Sequence, residues 1–317
     1  MILVTGANGF VGSAVVARLA SERVATRAAS RTLPDRLPPG VTPIPGAELN
    51  GDFDWTRAVT GVDTVIHTAA RVHVMKESTP DPLAAFLATN VEGTLRLARQ
   101  AAAAGVKRFV FVSSVKVNGE ATLPGRPFRA DDSPAPMDAY GLSKLQAEKA
   151  LRELGERTGM QIVVVRPPLV YGPGVRANFL RLLKLVRSRA PMPLGSVRNA
   201  RSMVALDNLA DFLCLTAFHP AAAERTFLVS DDHDMSTPEL VRLMGAAMRR
   251  QPVLIPVPVA LLTRVGRLTG LSAEVSRLVD SLQVDIAPAK QLLDWKPVQT
   301  ADEAIARTVQ SFLKNGG

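Results

Sequence analysis

The chain opens on an unbroken apolar run, Met1-Ile2-Leu3-Val4, passes through three closely spaced glycines, and continues as Ser13-Ala14-Val15-Val16-Ala17-Arg18-Leu19. Four consecutive apolar residues predict a strand buried on both faces, and Val11, Val15, Val16 and Leu19, at helical spacing, predict a helix behind the glycines. The alternation then repeats. A second strand is expected near Val24 to Ala29; after a Pro-rich loop a third closes at Glu48-Leu49, and Val62-Asp63-Thr64-Val65-Ile66-His67-Thr68-Ala69-Ala70 makes a fourth. A long helix runs from about Pro82 to Ala104 and is stopped by Gly105. A fifth strand, Arg108 to Val112, follows, and then a helix from Tyr140 to about Thr158 closed by Gly159. Strands alternating with helices predict an α/β fold: a doubly wound parallel sheet covered on both faces.

Between the first strand and the first helix stands Val4-Thr5-Gly6-Ala7-Asn8-Gly9-Phe10-Val11-Gly12. Gly6 allows a sharp turn, Gly9 lets backbone approach a pyrophosphate, and Gly12 lets the helix pack close to the strand, so the helix N–H groups point at a diphosphate. Glycines at this spacing can serve a tight turn alone, but their place between strand and helix favours a dinucleotide and a Rossmann-type sheet. At the end of the second strand, where an Asp or Glu would hold the ribose hydroxyls of NAD, the residues are Ser30 and Arg31. A guanidinium without an acid favours NADP(H), whose 2′-phosphate it can grip, with NAD(H) as the alternative. Arg31 lying along adenine or in solvent is the competing reading.

Composition removes several function classes. With 317 residues, 47% of them hydrophobic, the chain can bury a large core and is expected to form one nucleotide domain with a smaller companion. No stretch is long and apolar enough to span a bilayer; the best, Val253 to Leu262, is broken by Pro256 and Pro258. The cofactor strand begins at Met1, so no signal peptide is expected and a cytoplasmic protein follows. Cys214 is the only cysteine, which leaves no internal disulfide and no thiolate cluster, and its apolar setting reads as core. A net charge of +9 raises the question of nucleic acid, but no basic run or aromatic-interleaved patch exists, so small anionic ligands are expected instead.

The chemistry is carried by Tyr140-Gly141-Leu142-Ser143-Lys144. Tyr140 and Lys144, four apart on a helix, share a face. A phenol near pKa 10 is a poor base, but an adjacent ammonium and a positive nicotinamide stabilise its anion. Tyr140 can then exchange a proton with a substrate hydroxyl or ketone, while a serine at the end of the fifth strand, Ser114 by preference over Ser113, holds the same oxygen. A surface Tyr–Lys pair is the bland alternative, which the glycine turn upstream disfavours. His67 and His73 have no carboxylate or second His at ligand spacing; no metal site is expected, and His67 reads as a hydrogen-bonded core residue.

These residues resemble the extended short-chain dehydrogenases/reductases of the nucleotide-sugar epimerase/dehydratase group. The resemblance covers nearly the whole chain and rests on the glycine segment, His67-Thr68-Ala69-Ala70, Asn90-Val91-Glu92-Gly93-Thr94, Ser113-Ser114, Tyr140 with Lys144, Arg166-Pro167 and Val170-Tyr171-Gly172-Pro173-Gly174. It implies Ser114, Tyr140 and Lys144 as the catalytic set. It implies cofactor contacts from Gly6, Asn8, Gly9, Phe10, Val11, Gly12, Arg31, Glu48, Leu49, Thr68, Ala69, Ala70, Asn90, Tyr140, Lys144 and Pro167. Substrate contacts are implied for Arg71, His73, Ser114, Lys116, Asn178, Leu194 and Arg201. The expected division is a dinucleotide-binding domain over 1–170, to which 202–231 returns, and a substrate-binding domain over 171–201 and 232–317. A homodimer through the helices beginning near Pro82 and Tyr140 is also implied.

Where the group's 4,6-dehydratases carry an Asp-Glu pair after the strand-end hydroxyl, this chain has Val115-Lys116, so elimination of water is not expected. Redox at one carbon remains. The run Ser113-Ser114-Val115-Lys116-Val117-Asn118-Gly119-Glu120 resembles bacterial polysaccharide-cluster members acting at C4 of UDP-sugars, and Lys116 is either a substrate contact or a solvated side chain. Ser30-Arg31 leans toward NADPH-dependent reduction of a UDP-4-keto-6-deoxy-N-acetylhexosamine. A UDP-sugar 4-epimerase, a steroid- or flavonoid-type ketoreductase, and a non-catalytic nucleotide sensor are the alternatives; Tyr140 and Lys144 argue against the last.

Overall fold

The structure is a computed structural model and describes residues 1–72, 81–123 and 125–315. The opening apolar run forms β1 (Ile2–Thr5), and helix α1 (Phe10–Ser21) starts directly behind the glycine turn. There follow β2 (Thr26–Ser30), β3 (Val41–Pro45), a short α2 (Thr56–Val59) and β4 (Thr64–His67). The long central helix is α3 (Pro82–Leu87) and α4 (Thr94–Ala103), joined by a π turn over Ala88–Gly93. After β5 (Arg108–Val112) comes α5 (Ala139–Thr158), capped at its start by Asp138 and closed by Gly159 at φ 75°. The chain continues through β6 (Gln161–Arg166), β7 (Leu169–Tyr171), α6 (Ala177–Ser188), β8 (Met203–Ala205), α7 (Leu206–Phe218) and β9 (Thr226–Leu228). Five helices complete it: α8 (Thr237–Ala247), α9 (Val259–Leu268), α10 (Ser272–Val279), α11 (Ala287–Leu293) and α12 (Ala301–Lys314).

Seven strands form one parallel sheet in the order β3-β2-β1-β4-β5-β6-β9. Side chains of a strand alternate between faces, and the core follows that rule. Ile2, Val4, Ile66, Val110 and Val163 point to the side covered by α1 and α7, with Val15, Val16, Phe212 and Leu213. Leu3, Val65, Phe109, Phe111 and Val164 point to the other, where Leu97, Ala101, Ala147 and Leu151 of α4 and α5 cover them. A third cluster, with Tyr171, Phe179, Leu183, Met203, Val241, Met244 and Val309, is built largely from segments beyond β6. Strand order reverses between β1 and β4, and ligands of doubly wound sheets bind at the carboxyl ends beside such a reversal.

Two boundaries differ from expectation. The third strand does not close at Glu48-Leu49; it ends at Pro45, and Gly46, at φ 72°, turns the chain away. Pro43 and Pro45 are tolerated because β3 is an edge strand paired only with β2. Nor does β4 run to Ala70: it ends at His67, and Thr68 turns back to bond the carbonyl of Thr5 at 2.7 Å through its hydroxyl.

Candidate active site

The glycine turn is built by close approach. Gly6 sits at φ 66°, and a Cβ there would lie 2.8 Å from backbone atoms of Ala69. A Cβ on Gly12 would overlap the Gly6 carbonyl, so α1 can begin only where it does if that residue is glycine. Gly9 donates its N–H to Gly6 O at 2.8 Å, which aims the turn into the crevice between β1 and β4. The start of α1 has no side-chain cap and no acidic residue in its first turn. An uncapped helix N-terminus facing a cradle without Cβ atoms fits a diphosphate. Asn8 lies in this turn, Phe10 and Val11 open α1, and Thr68 and Ala69, just after β4, approach the turn; Ala70 follows them in the chain. The residues therefore fit a nicotinamide dinucleotide, which supplies a hydride acceptor and donor when bound.

At the adenosine end, Asn8 Nδ2 lies 3.5 Å from Thr32 Oγ1, next to the exposed Arg31. No carboxylate follows β2; the residues are Ser30, Arg31 and Thr32. Glu48 accepts a 3.0 Å bond from Asn50, and Leu49 lies against Gly93, where a Cβ would come within 2.8 Å of the Leu49 backbone.

Ser113 and Ser114, adjacent at the end of β5, have different partners. Ser113 donates a 2.5 Å bond to Glu148, which is also ion-paired with Arg166 in the core at 2.6 Å. Ser114 instead caps the turn Val115–Val117, its Oγ accepting the N–H of Lys116 at 3.2 Å, while Val115 N–H bonds the carbonyl of Pro167. Ser114 is thus the serine beside Pro167, and Ser113 is committed to the sheet.

Lys144 donates to Val112 O at 2.8 Å, with its ammonium 4.6 Å from the Phe111 ring and 5.9 Å from the Tyr140 ring. Burial lowers its pKa to about 7, partly offset by Glu148. Tyr140 packs edge-on against Phe86, ring centroids 6.0 Å apart, and burial raises its phenol well above 10, helped by the Asp138 carboxylate. Asn90, in the π turn, grips the backbone of Arg71 through two bonds of 2.8 and 3.0 Å and donates to Ser143 at 3.0 Å. It thereby anchors the segment after Ala70 to the Tyr140 helix.

The expected substrate contacts have separate partners, with Glu120 acting on both Lys116 and Arg201. Arg71 places its guanidinium 5.5 Å from the Phe86 ring. Lys116 is ion-paired with Glu120 at 2.9 Å and with Asp138. Asn178 is exposed in the first turn of α6, and Leu194 is buried in the third cluster. Arg201 donates to the carbonyl of Asp280 at 2.9 Å; burial lowers its pKa, with Asp280 and Glu120 acting the other way. His73 lies outside the described residues. His67 is fully buried between Thr5 and Thr94, at 2.7 and 3.0 Å, and burial lowers its pKa to about 3. Among the described residues no group of three or more His, Cys, Asp or Glu is placed to hold a metal. Two features went unread in the sequence: the Ser113–Glu148–Arg166 clamp and the cap at Asp138. Glu148, four residues after Lys144 on the same helical face, was the available signal.

Residues 2–229 match the family model described as the NAD dependent epimerase/dehydratase family. The chain belongs to that family. It is an enzyme of the extended short-chain dehydrogenase/reductase class, and its relatives extend over its whole length. It is 43% identical over 316 residues to a UDP-glucose 4-epimerase of Vibrio cholerae, covering 99% of this chain and 95% of that one. It is 27% identical, over 82% of this chain and 77% of the relative, to an N-acetyl-α-D-glucosaminyl-diphospho-ditrans,octacis-undecaprenol 4-epimerase of Escherichia coli O157:H7. The fold matches a UDP-glucuronic acid 4-epimerase from Bacillus cereus in complex with NAD, at TM-score 0.80, 17% identity and 100% and 99% coverage.

Proposed function

We propose that this family member is a nucleotide-sugar 4-epimerase, acting at C4 of a UDP-linked sugar with Tyr140 as the proton-exchanging group. One observation carries the reading: Lys144, on α5 one turn after Tyr140, bonds Val112 O at the end of β5, the strand that Ser114 follows, and no carboxylate pair follows Ser114 to drive elimination. The identity of 43% to a UDP-glucose 4-epimerase across the whole chain supports it. The C4 oxygen is held by the Ser114 hydroxyl and the Tyr140 phenol. Tyr140 takes the hydroxyl proton as C4 is oxidised and returns a proton when C4 is reduced on its other face. Lys144, its ammonium anchored to Val112 O and near the Tyr140 ring, stabilises the phenolate. Arg201 and Asn178 are assigned to the diphosphate and the backbone around Leu194 to the base, so that residues 171–201 and 232–317 form the sugar-nucleotide side.

A specific observation favours a second reading. Ser30-Arg31-Thr32 at the end of β2 suits a 2′-phosphate, and NADP(H) suits one-way reduction of a UDP-4-keto-6-deoxy-N-acetylhexosamine. One comparison separates the two. An epimerase interconverts UDP-glucose and UDP-galactose, or the N-acetylhexosamine pair, without added reductant. Stoichiometric NADPH oxidation by the 4-keto sugar, with no interconversion in the reductant-free tube, would overturn the epimerase in favour of the reductase.

A further inference from the structure

Two capped turns meet at the mouth of the site. Ser114 caps the turn Val115–Val117, and Asp138 caps α5, its Oδ1 accepting the N–H of Gly141 at 2.7 Å. A carboxylate at a helix N-terminus favours the helix. Here it also stands two residues before Tyr140, where its negative charge holds the phenol up, against the need of a proton acceptor. The second oxygen of Asp138 meets the Lys116 ammonium, whose other partner is Glu120 at 2.9 Å. Both Lys116 and Asp138 are half-buried, at 30% and 31% side-chain exposure, so the pair is incompletely screened by water. The backbones also touch: a Cβ on Gly141 would lie 2.9 Å from the Lys116 carbonyl.

We infer that Lys116 is a positioning residue for the proposed reaction: its ammonium fastens the Ser114 turn to the cap of the Tyr140 helix and neutralises the Asp138 charge beside the phenol. This rests on the reading of Tyr140 as the proton-exchanging group. Among the described residues, the charged groups near Tyr140 can be named. Asp138 and Lys144 are on its own segment, Lys116 is on the turn after Ser114, and Arg71 lies over Phe86. The α4 and β6 arginines nearby are engaged elsewhere, Arg96 with the carbonyls of Asp52 and Phe53 and Arg166 with Glu148, and Glu92 of the π turn is exposed. Among the described residues, Lys116 is thus a cation that faces Asp138, a carboxylate acting on Tyr140. The clamp reads Lys116 as acting through Asp138 rather than by touching the sugar.

The test uses Lys116→Met, Lys116→Arg, Asp138→Asn and the double variant Lys116→Met/Asp138→Asn, each loaded with nicotinamide dinucleotide. The chain holds two tyrosines, Tyr140 and Tyr171. Tyr171 is buried on Asp231 with its phenol pushed far up, so phenolate absorbance in a Tyr171→Phe background reads Tyr140 without any turnover. Lys116→Met is expected to move the Tyr140 titration to higher pH and to lower kcat about tenfold at neutral pH, with KM within about twofold. Lys116→Arg restores both, and the double variant returns the titration toward wild type because Asn still caps the helix without charge. A Tyr140 titration unmoved by Lys116→Met overturns the inference. So does a tenfold rise in KM with an unchanged pH profile, which makes Lys116 a sugar contact. Absence of sugar turnover in the parent protein would count against the proposed function alone, since the absorbance titration still decides the clamp.

Discussion

At the scale of single residues, neighbours in sequence have been given different tasks. Ser113 and Ser114 differ only in which way the end of β5 points them, yet one bonds Glu148 in the core and the other caps the turn beside Pro167. Ser113→Ala is expected to lose about 1.5–3 kcal/mol of stability, as for a bond to a charged group, with kcat within about threefold of wild type. Ser114→Ala should keep its unfolding midpoint and lose about 100-fold in kcat. Thermal unfolding and steady-state kinetics on the pair distinguish the roles. His67 gives a stability signature. Its pKa is depressed in the folded chain to about 3 from an ordinary 6.5, so the unfolded chain binds the extra proton between those values. Its contribution to stability is therefore full above pH 6.5 and is lost as pH falls toward 3, with a slope of up to about 1.4 kcal/mol per pH unit. Denaturant titrations from pH 7 to pH 4 should show a flatter loss in His67→Gln than in wild type.

At the scale of elements, α5 joins the sheet to the site. Its inner face carries Lys144 and Glu148 one turn apart, and Glu148 ties β5 to β6 through Ser113 and Arg166. Arg166 and Glu148 have side-chain exposures of only 5% and 3%, so Glu148→Gln leaves a guanidinium buried without its charge partner. A loss of about 3–5 kcal/mol in chemical denaturation is expected, with cofactor affinity preserved in the fraction that folds. Most elements of the sheet half were legible because each obeys a local rule: β1 and β5 as short apolar runs, α5 from its closing glycine. The glycine turn was legible for the same reason, since Gly6, Gly9 and Gly12 answer to backbone geometry alone. The errors fell where tertiary context decides. The third strand lies earlier than expected because an edge position accepts Pro43 and Pro45 and Gly46 then turns the chain away, and the π turn at Ala88–Gly93 reflects Asn90 reaching two segments at once and Gly93 fitting against Leu49. Asn178 and Arg201, expected on the substrate side, sit on segments whose placement depends on long-range packing, and no local pattern fixes it.

At the scale of the molecule, the seven-stranded sheet is a platform and the chain beyond β6 supplies most of the third cluster, around Phe179, Met244 and Val309. No helix among the described residues is long and apolar enough to cross a membrane. Helices α4 and α5 lie together on one side of the sheet, with α3 against α5, and we propose that they pair two copies of the chain. Sedimentation velocity should then give a species of twice the 33.9 kDa chain mass, and a concentration-independent monomer would refute the pairing. Under the proposed function, Tyr140 carries the proton at C4. The most direct measurement is the rate of C4 interconversion of a UDP-sugar, followed by NMR without added reductant, for wild type and Tyr140→Phe at matched cofactor occupancy. A loss of about 100- to 10,000-fold with unchanged cofactor affinity is expected. A Tyr140→Phe protein that interconverts the epimers at close to the wild-type rate would contradict it.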